Sequence, residues 1–242
     1  MTQRPEDILA GKKRPFTGAE YLQSLQDGRE VYIYGERVKD VTQHPAFRNA
    51  AVSVAKLYDA LHDTSSKEVL TTATDTGSDG YTHRFFKAAR SREDLIKQRD
   101  AIAAWARISY GWMGRSPDYK AAFLNTLGAN AEFYGRFADN ARAWHTRAQE
   151  AVLFVNHALV NPPIDRSKPA EQVKDVYISI QKETDAGIYV SGAKVVATNS
   201  VLTHYNFLGS EHGPGDQRRE HGDHVHGSHE HAGNQADLPA LL

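Results

Sequence analysis

Residues 114–119, Gly-Arg-Ser-Pro-Asp-Tyr, combine a fixed positive charge with a phenol group beside a predicted helix start. Ser116 suits the N-cap and Pro117 suits the first helical position. Arg115 would then precede the helix, and Tyr119 would lie on its first turn. Unpaired N–H groups and the helix dipole favour an anion at such a place. A capped helix with a solvated arginine and a packed tyrosine is the structural alternative, and it stays open.

His157 offers a group that titrates near neutral pH and can accept a proton from a substrate. Residues 156–163 around it read Asn-His-Ala-Leu-Val-Asn-Pro-Pro. Apolar residues at helical spacing predict a helix over residues 131–160, which the proline pair ends. His157 would lie near that end, where a side chain can point into a cleft, although a lone histidine there is more often structural.

A third group of polar residues lies at 180–187 and 192–200, where glycine turns separate short predicted strands. Hydroxyl groups at strand ends, such as those of Thr198 and Ser200, can hydrogen-bond a flat heteroaromatic ring. Ordinary hairpin chemistry explains the same residues, so the local sequence leaves both interpretations open.

Residues 210–242 are rich in histidine, glycine and charge. Such a segment cannot bury enough apolar surface to offset its ordering entropy, so disorder is predicted. Several of its histidines are spaced two or three residues apart, with acidic neighbours: His221, His224, His226, His229 and His231. These side chains could bind Zn²⁺ or Ni²⁺ loosely, and an accidental sequence without a selected role is the alternative.

The elements that must position these side chains form an α+β plan, in which a helical half precedes the opening of a β region. A capping box at Thr17 and Glu20 predicts the first helix. Further helices are predicted over residues 46–63, 91–110, 117–125 and 131–160, and strands over residues 30–34, 176–179, 188–190, 194–197 and 201–203. We expect an N-terminal helical domain over residues 1–160, a partial middle β domain over residues 161–209 and a tail over residues 210–242.

Composition excludes several classes of site and partner. Cysteine is absent, which rules out disulfides, thiolate nucleophiles and cysteine zinc sites. The formal net charge of −1 argues against a nucleic-acid partner held by phosphate neutralisation. No apolar stretch approaches the ~20 residues that span a bilayer, and residues 1–16 do not read as a secretory signal. We expect a cytoplasmic protein with no nucleic-acid and no membrane partner.

Several stretches in matching order resemble one family, the 4-hydroxyphenylacetate 3-monooxygenases. More broadly, they are similar to the large oxygenase component of two-component, FAD-dependent aromatic hydroxylases. The resemblance covers about residues 14–209. It rests on Arg14-Pro-Phe-Thr-Gly-Ala-Glu-Tyr-Leu, Val31-Tyr-Ile-Tyr-Gly-Glu-Arg-Val, Gly114-Arg-Ser-Pro-Asp-Tyr, His157-Ala-Leu-Val-Asn-Pro-Pro and Gly192-Ala-Lys-Val-Val-Ala-Thr.

This resemblance implies an acyl-CoA-dehydrogenase-like architecture with an N-terminal helical domain, a middle β domain and a C-terminal helical bundle that forms homotetramers. It also implies hydroxylation of a phenol ortho to its hydroxyl, with O₂ and with reduced FAD from a separate flavin reductase. Arg115, Tyr119 and His157 occupy the positions that contact the phenolic oxygen in the family. The positions implied to face the flavin are Pro163, Ile164, Asp165, Arg166, Thr198 and Ser200.

The sequence departs from the family after residue 209, where members continue to roughly twice this length. We therefore expect a truncated member that lacks the C-terminal bundle. Two hypotheses about its activity stay open: the chain retains the oxygenase function, or it is an inactive fragment with residual phenol binding at best. Loose metal binding by the histidine-rich tail is a third hypothesis, of a different class.

Overall fold

A computed structural model describes residues 4–163, 168, 172, 176–185 and 187–209, together with the backbone of residues 224–228. The α-helices are α1 (Gly18–Ser24), α2 (Arg48–Ala60), α3 (Lys67–Leu70), α4 (Arg92–Ile108), α5 (Ala121–Ala129) and α6 (Ala138–Ala151). Short 3-10 helices cover Pro5–Leu9, Arg84–Phe86, Pro117–Lys120, Ala131–Phe137 and Ser200–Leu202. None of the helices in these described ranges is long and apolar enough to cross a membrane.

Among the described residues, the strands form four small sheets. They are β1 (Val31–Ile33), β2 (Glu36–Val38), β3 (Thr71–Ala73), β4 (Tyr81–His83), β5 (Val155–Ala158), β6 (Ser179–Thr184), β7 (Gly187–Ser191), β8 (Tyr205–Gly209) and β9 (His224–Ser228). The pairs β1–β2, β3–β4 and β6–β7 are antiparallel hairpins. The remaining sheet has the order β5-β8-β9, with β5 parallel to β8 and β9 antiparallel to it.

Local capping explains where the first helices begin. The Thr17 side chain accepts a hydrogen bond from the backbone N–H of Glu20, and the Glu20 carboxylate accepts one from the backbone N–H of Thr17. This reciprocal pair is the predicted capping box of α1. Ser91 caps α4 in a similar way, since its hydroxyl accepts from the backbone N–H of Asp94. Both helix starts agree with the sequence-based prediction.

The predicted helix over residues 131–160 is wrong in its last third. The α-helix α6 ends at Ala151, and Val152 adopts a left-handed conformation with φ 56° and ψ 54°. The chain then enters β5, so His157 lies on a strand rather than near a helix end. The error has a physical cause, because a continuous apolar run in a buried parallel strand has the same hydrophobic pattern as a buried helix.

The β region also differs from its prediction at several places. Residues 200–202 form a 3-10 helix where a strand was predicted, and the strand lies just beyond, as β8. The strands predicted near 176–179 and 194–197 appear mainly as isolated bridges, Tyr177 with Ala193 and Val160 with Val195. Disorder was predicted for the whole tail, yet residues 224–228 pair with β8, whose backbone groups would otherwise remain unpaired on that edge. The rest of the tail lies outside the described residues.

One hydrophobic core joins the helices to the first strands of the β region. Its largest buried side chains include Trp105, Trp144, Tyr21 and Tyr58, and it extends to residues of β5 and β8. The polar groups of Tyr21, Tyr58 and Trp105 bond to distant backbone. The Tyr21 hydroxyl donates to the Leu202 carbonyl at 2.8 Å, and the Trp105 indole donates to the Leu57 carbonyl at 3.0 Å. This packing fixes β5 and β8 against the helical part of the chain.

Candidate functional site

Three side chains predicted from the sequence lie in one cluster. The Tyr119 hydroxyl oxygen is 3.2 Å from His157 Nδ1, in a hydrogen bond whose donor depends on the histidine tautomer. The two rings have centroids 5.4 Å apart. The guanidinium carbon of Arg115 is 4.0 Å from the centroid of the Tyr119 ring. A fixed cation, a phenol and an imidazole therefore face one another, although 42 positions separate the first from the last in sequence.

Strand register brings His157 to this cluster. In the parallel pair of β5 and β8, His157 lies opposite Phe207, and both side chains point to the face that packs against the helices. The Phe207 ring is 4.7 Å from the ring of Phe123 in α5. The 3-10 helix that carries Tyr119 leads directly into α5, so packing of α5 on β8 also places Tyr119 beside His157.

The predicted helix start at this site takes a different form. Ser116 precedes the 3-10 helix but makes no side-chain cap; its hydroxyl donates to the Asp118 carboxylate instead. The α-helix begins only at Ala121, so Tyr119 lies just before α5 rather than on its first turn. Burial raises the pKa of Asp118. The positive end of a helix dipole is still present near the cluster, but it belongs to α5.

Positive charge dominates the electrostatics of the cluster. Burial lowers the pKa of His157, and the charges of Lys120 and Arg115 lower it further. Arg115 donates from Nη1 to the Gly114 carbonyl, while its buried Nε has no hydrogen-bond partner in the described part of the chain. The imidazole is therefore biased towards its neutral form, which can accept a proton.

Lys120 is a member of the cluster that the sequence-based prediction did not include. Its Nζ lies 5.0 Å from the centroid of the Tyr119 ring. Burial and the nearby charge of Arg115 lower the pKa of Lys120. Its position next to Tyr119 in sequence was the only available signal, and a lysine at that position reads equally well as a solvated residue.

Two of the candidate flavin-facing residues, Thr198 and Ser200, flank a residue that bonds to the Arg115 loop. Asn199, between Thr198 and Ser200, donates from Nδ2 to the Arg115 carbonyl at 3.2 Å. Thr198 is exposed and Ser200 is half-buried. Pro163 is exposed at the end of a described range, whereas Ile164, Asp165 and Arg166 lie outside the described residues.

Lys194 holds the two flanking segments of this region together. Its Nζ donates to the Leu159 carbonyl at 2.9 Å and to Asn161 Oδ1 at 2.7 Å. The backbone N–H of Val195 donates to the Val160 carbonyl at 2.9 Å. The segment after His157 and the segment leading to Ser200 therefore run side by side. Lys194 and Asn199 lie in the Gly-containing stretch, and no other feature of the sequence singled them out.

The residues present fit one edge of a flat heteroaromatic ring. The hydroxyls of Thr198 and Ser200 can each donate and accept, and no protein partner for either hydroxyl occurs within the described ranges. Both stand next to Asn199, whose side chain bonds to the Arg115 carbonyl.

A protein-family model matches most of the chain. Residues 17–222 match the family model described as 4-hydroxyphenylacetate 3-hydroxylase N terminal. The chain belongs to this family. The resemblance predicted from the sequence to the 4-hydroxyphenylacetate 3-monooxygenases is therefore confirmed.

Individual relatives agree with the family assignment. The chain is 70% identical over 206 residues to the oxygenase component of 4-hydroxyphenylacetate 3-monooxygenase from Klebsiella oxytoca, covering 85% of this chain and 40% of the relative. It is 64% identical over 204 residues to the oxygenase component of 4-nitrophenol 2-monooxygenase from a Rhodococcus species, covering 84% of this chain and 38% of that relative. The chain therefore spans about 40% of the length of the curated relatives it matches.

A solved structure confirms the fold. The crystal structure of the oxygenase component (HpaB) of 4-hydroxyphenylacetate 3-monooxygenase in complex with FAD and 4-hydroxyphenylacetate matches with a TM-score of 0.79 at 30% identity. The match covers 88% of this chain and 45% of that one. The chain has the helical first part and the opening strands of an acyl-CoA-dehydrogenase-like fold, as the sequence predicted. The domain boundary at residue 160 stays a prediction.

Proposed function

We propose that this chain provides the phenol-binding part of an FAD-dependent aromatic monooxygenase. The proposed reaction hydroxylates 4-hydroxyphenylacetate or a related phenol ortho to its hydroxyl group, with O₂ and with reduced FAD from a separate flavin reductase. The contact between Tyr119 and His157, 3.2 Å apart beneath the Arg115 guanidinium, is the observation that carries the proposal. The relatives' activities towards 4-hydroxyphenylacetate and 4-nitrophenol support a para-substituted phenol as substrate.

The cluster suits the ionisation of a phenol. A phenolate directs electron density to its ortho carbon more strongly than a neutral phenol does, and so reacts faster with an electrophilic oxygen. The fixed charge of Arg115 and the N-terminus of α5 favour this anion electrostatically. Reduced flavin, when bound, would supply the electrons that activate O₂, from which one oxygen atom is transferred to the ring. The residues of this chain bind the phenol, orient its ring and remove its proton.

A proton path follows from the hydrogen-bond geometry. Neutral imidazole accepts at one nitrogen only, and His157 Nδ1 is the nitrogen nearer to the Tyr119 hydroxyl. When Nδ1 accepts from Tyr119, the tyrosine oxygen is free to accept from a phenolic substrate. The proton of the substrate then passes to His157 through Tyr119. The lowered pKa of His157 keeps the imidazole neutral and ready to accept at neutral pH.

The remaining expectations belong to the same proposal. Thr198 and Ser200 would bond to the polar edge of the flavin ring, and Pro163, Ile164, Asp165 and Arg166 would face it. We expect the whole protein to receive reduced FAD from a separate reductase, to form a homotetramer and to be cytoplasmic.

Catechol formation by the purified chain tests the proposal directly. The chain is mixed anaerobically with reduced FAD and 4-hydroxyphenylacetate, and O₂ is then admitted. Catechol above the amount formed with free reduced flavin is the expected result, and a chain carrying Tyr119→Phe is the matched control. The alternative, an inactive fragment, predicts catechol at the free-flavin level while the chain still binds the phenol.

A further inference from the structure

Lys120 brings a second full positive charge to the phenol cluster. It is the last residue of the 3-10 helix Pro117–Lys120 and the N-cap of α5. Its ammonium nitrogen is 5.0 Å from the Tyr119 ring centroid, and the Arg115 guanidinium carbon is 4.0 Å from the same centroid. Both cations are therefore within a few ångströms of the ring whose hydroxyl bonds to His157.

No carboxylate neutralises this pair of charges within the described ranges. Ion pairs of this chain place a carboxylate within 4.0 Å of other lysines, as in Lys97 with Glu93 at 2.6 Å and Lys13 with Asp79 at 2.8 Å. Neither Arg115 nor Lys120 has such a partner there. Asp118 is close in sequence, but its carboxylate accepts from the Ser116 hydroxyl, and the described part of the chain has no ion pair between it and either cation.

The position of Lys120 places its charge next to other positive charge. A cation at a helix N-terminus is repelled by the positive end of the helix dipole, and α5 begins immediately after Lys120. A second like charge, that of Arg115, is close enough to lower the pKa of the Lys120 ammonium group beyond the effect of burial. Two like charges and a helix terminus therefore meet where a single anion would relieve the repulsion among all three.

We infer that Lys120 is an anion-recognising residue of the phenol site, and that with Arg115 it selects the ionised form of a bound phenol. This inference rests on the proposed function and deepens it, because it assigns the specificity of the same cluster to a pair of cations. The ligand it favours is a phenol that carries negative charge on its oxygen, in preference to an uncharged aromatic ring of similar size.

Equilibrium binding of 4-nitrophenol tests this role without requiring turnover. The ligand is mostly ionised at about pH 8, its ionised form absorbs visible light, and nitrobenzene serves as the uncharged comparison. The proteins are the unaltered chain, Lys120→Met, Lys120→Arg and, as a matched control, Lys97→Met. Lys97 lies on α4, is paired with Glu93 and is half exposed. Circular dichroism of each variant shows whether its fold is intact.

The expected result is specific to charge. Lys120→Met should weaken 4-nitrophenolate binding roughly tenfold. This loss lies between the attraction energies of two opposite charges a few ångströms apart in water and in a partly buried site. Nitrobenzene binding should not change, Lys120→Arg should retain most of the phenolate affinity, and Lys97→Met should match the unaltered chain. Phenolate binding should also weaken with added salt, and less so in Lys120→Met.

Two contrary results separate this inference from the proposed function. A folded Lys120→Met chain that binds 4-nitrophenolate as tightly as the unaltered chain overturns the role of Lys120 alone. An unaltered chain that binds neither 4-nitrophenol nor 4-hydroxyphenylacetate overturns the phenol site itself, and the Lys120 role with it. Failure to form catechol has no bearing on these binding measurements.

Discussion

Asn199 donates a hydrogen bond from its side-chain Nδ2 to the backbone carbonyl oxygen of Arg115, at 3.2 Å. Its backbone is left-handed, with φ 63°, a conformation that asparagine adopts more readily than most other non-glycine residues. The bond joins the segment of Thr198 and Ser200 to the loop that presents Arg115. A displacement of either segment therefore affects the position of the other.

Breaking this bond should loosen the Arg115 loop. Asn199→Gly keeps the left-handed backbone without strain and removes only the side-chain donor, whereas Asn199→Ala also adds backbone strain. We expect both variants to bind 4-nitrophenol several-fold more weakly, and Asn199→Ala alone to lose a further ~1 kcal/mol of unfolding free energy. Titration and urea denaturation measure the two effects. Unchanged phenol affinity in Asn199→Gly would show that the bond does not position Arg115.

Replacing His157 with glutamine should separate binding from proton transfer. Glutamine can hydrogen-bond to Tyr119 but cannot accept a proton at neutral pH. We expect His157→Gln to bind 4-hydroxyphenylacetate within roughly threefold of the unaltered chain and to lose about 10²-fold in catechol formation. Catechol formation undiminished in this variant would rule out His157 as the proton acceptor.

The pH dependence of hydroxylation carries a related prediction. Burial and the charges of Lys120 and Arg115 lower the pKa of His157, so its proton-accepting form persists below the ordinary histidine range near ~6.5. Catechol formation should therefore stay constant through ~6.5 and decline only at lower pH. A decline centred above that value would contradict the neutral imidazole.

His83 should make the fold sensitive to mild acid. Burial, with a smaller effect of Arg84, lowers the pKa of His83 to about 3. When the pH falls below ~6.5, the imidazole gains a proton in the unfolded chain but not in the folded chain. The free energy of unfolding therefore decreases as the pH falls, by roughly 2 kcal/mol between pH 7 and 5. In the unaltered chain the Phe85 backbone N–H donates to His83 Nδ1 at 3.2 Å. His83→Asn keeps an acceptor for this N–H and should remove the pH dependence of stability.

A matched histidine provides the control for that measurement. His44 Nδ1 accepts from the backbone N–H of Ala46, also two residues ahead and at 3.2 Å, but His44 is only half-buried. Urea denaturation at pH 7, 6 and 5 should give the steep dependence in His44→Asn and a shallow one in His83→Asn. Equal slopes in the two variants would mean that His83 is protonated in the folded chain.

Val196 should be replaceable with a gain in stability. It is a β-branched residue in a left-handed conformation, with φ 59°, and its side chain is 71% exposed. Glycine relieves the backbone strain there and removes little buried surface, so Val196→Gly should stabilise the fold by roughly 0.5–1 kcal/mol. Val190→Gly, in the regular strand β7, should instead destabilise it. Thermal denaturation compares the two, and a loss of stability in Val196→Gly would contradict the strain.

The local sequence was sufficient for features that depend on neighbouring residues. The capping box of Thr17 and Glu20 and the start of the helix predicted from residue 91 use contacts within a few residues, and both appear where they were predicted. The family stretches also identified Arg115, Tyr119 and His157 as residues of interest before their proximity was known.

The tertiary structure decided what depends on distant partners. Nothing local distinguishes the apolar run after Ala151 from a helix, and it becomes β5 because β8, about fifty residues further along the chain, offers a parallel partner. The same pairing turns His157 towards Tyr119, and the hydrogen bond of Asn199 to Arg115 joins two stretches far apart in sequence. Lys120 belongs to the cluster only because the fold places it, like Arg115, beside the Tyr119 ring. Charge and hydrogen-bond energies depend on distances in space, and sequence spacing sets those distances only within a single turn or strand.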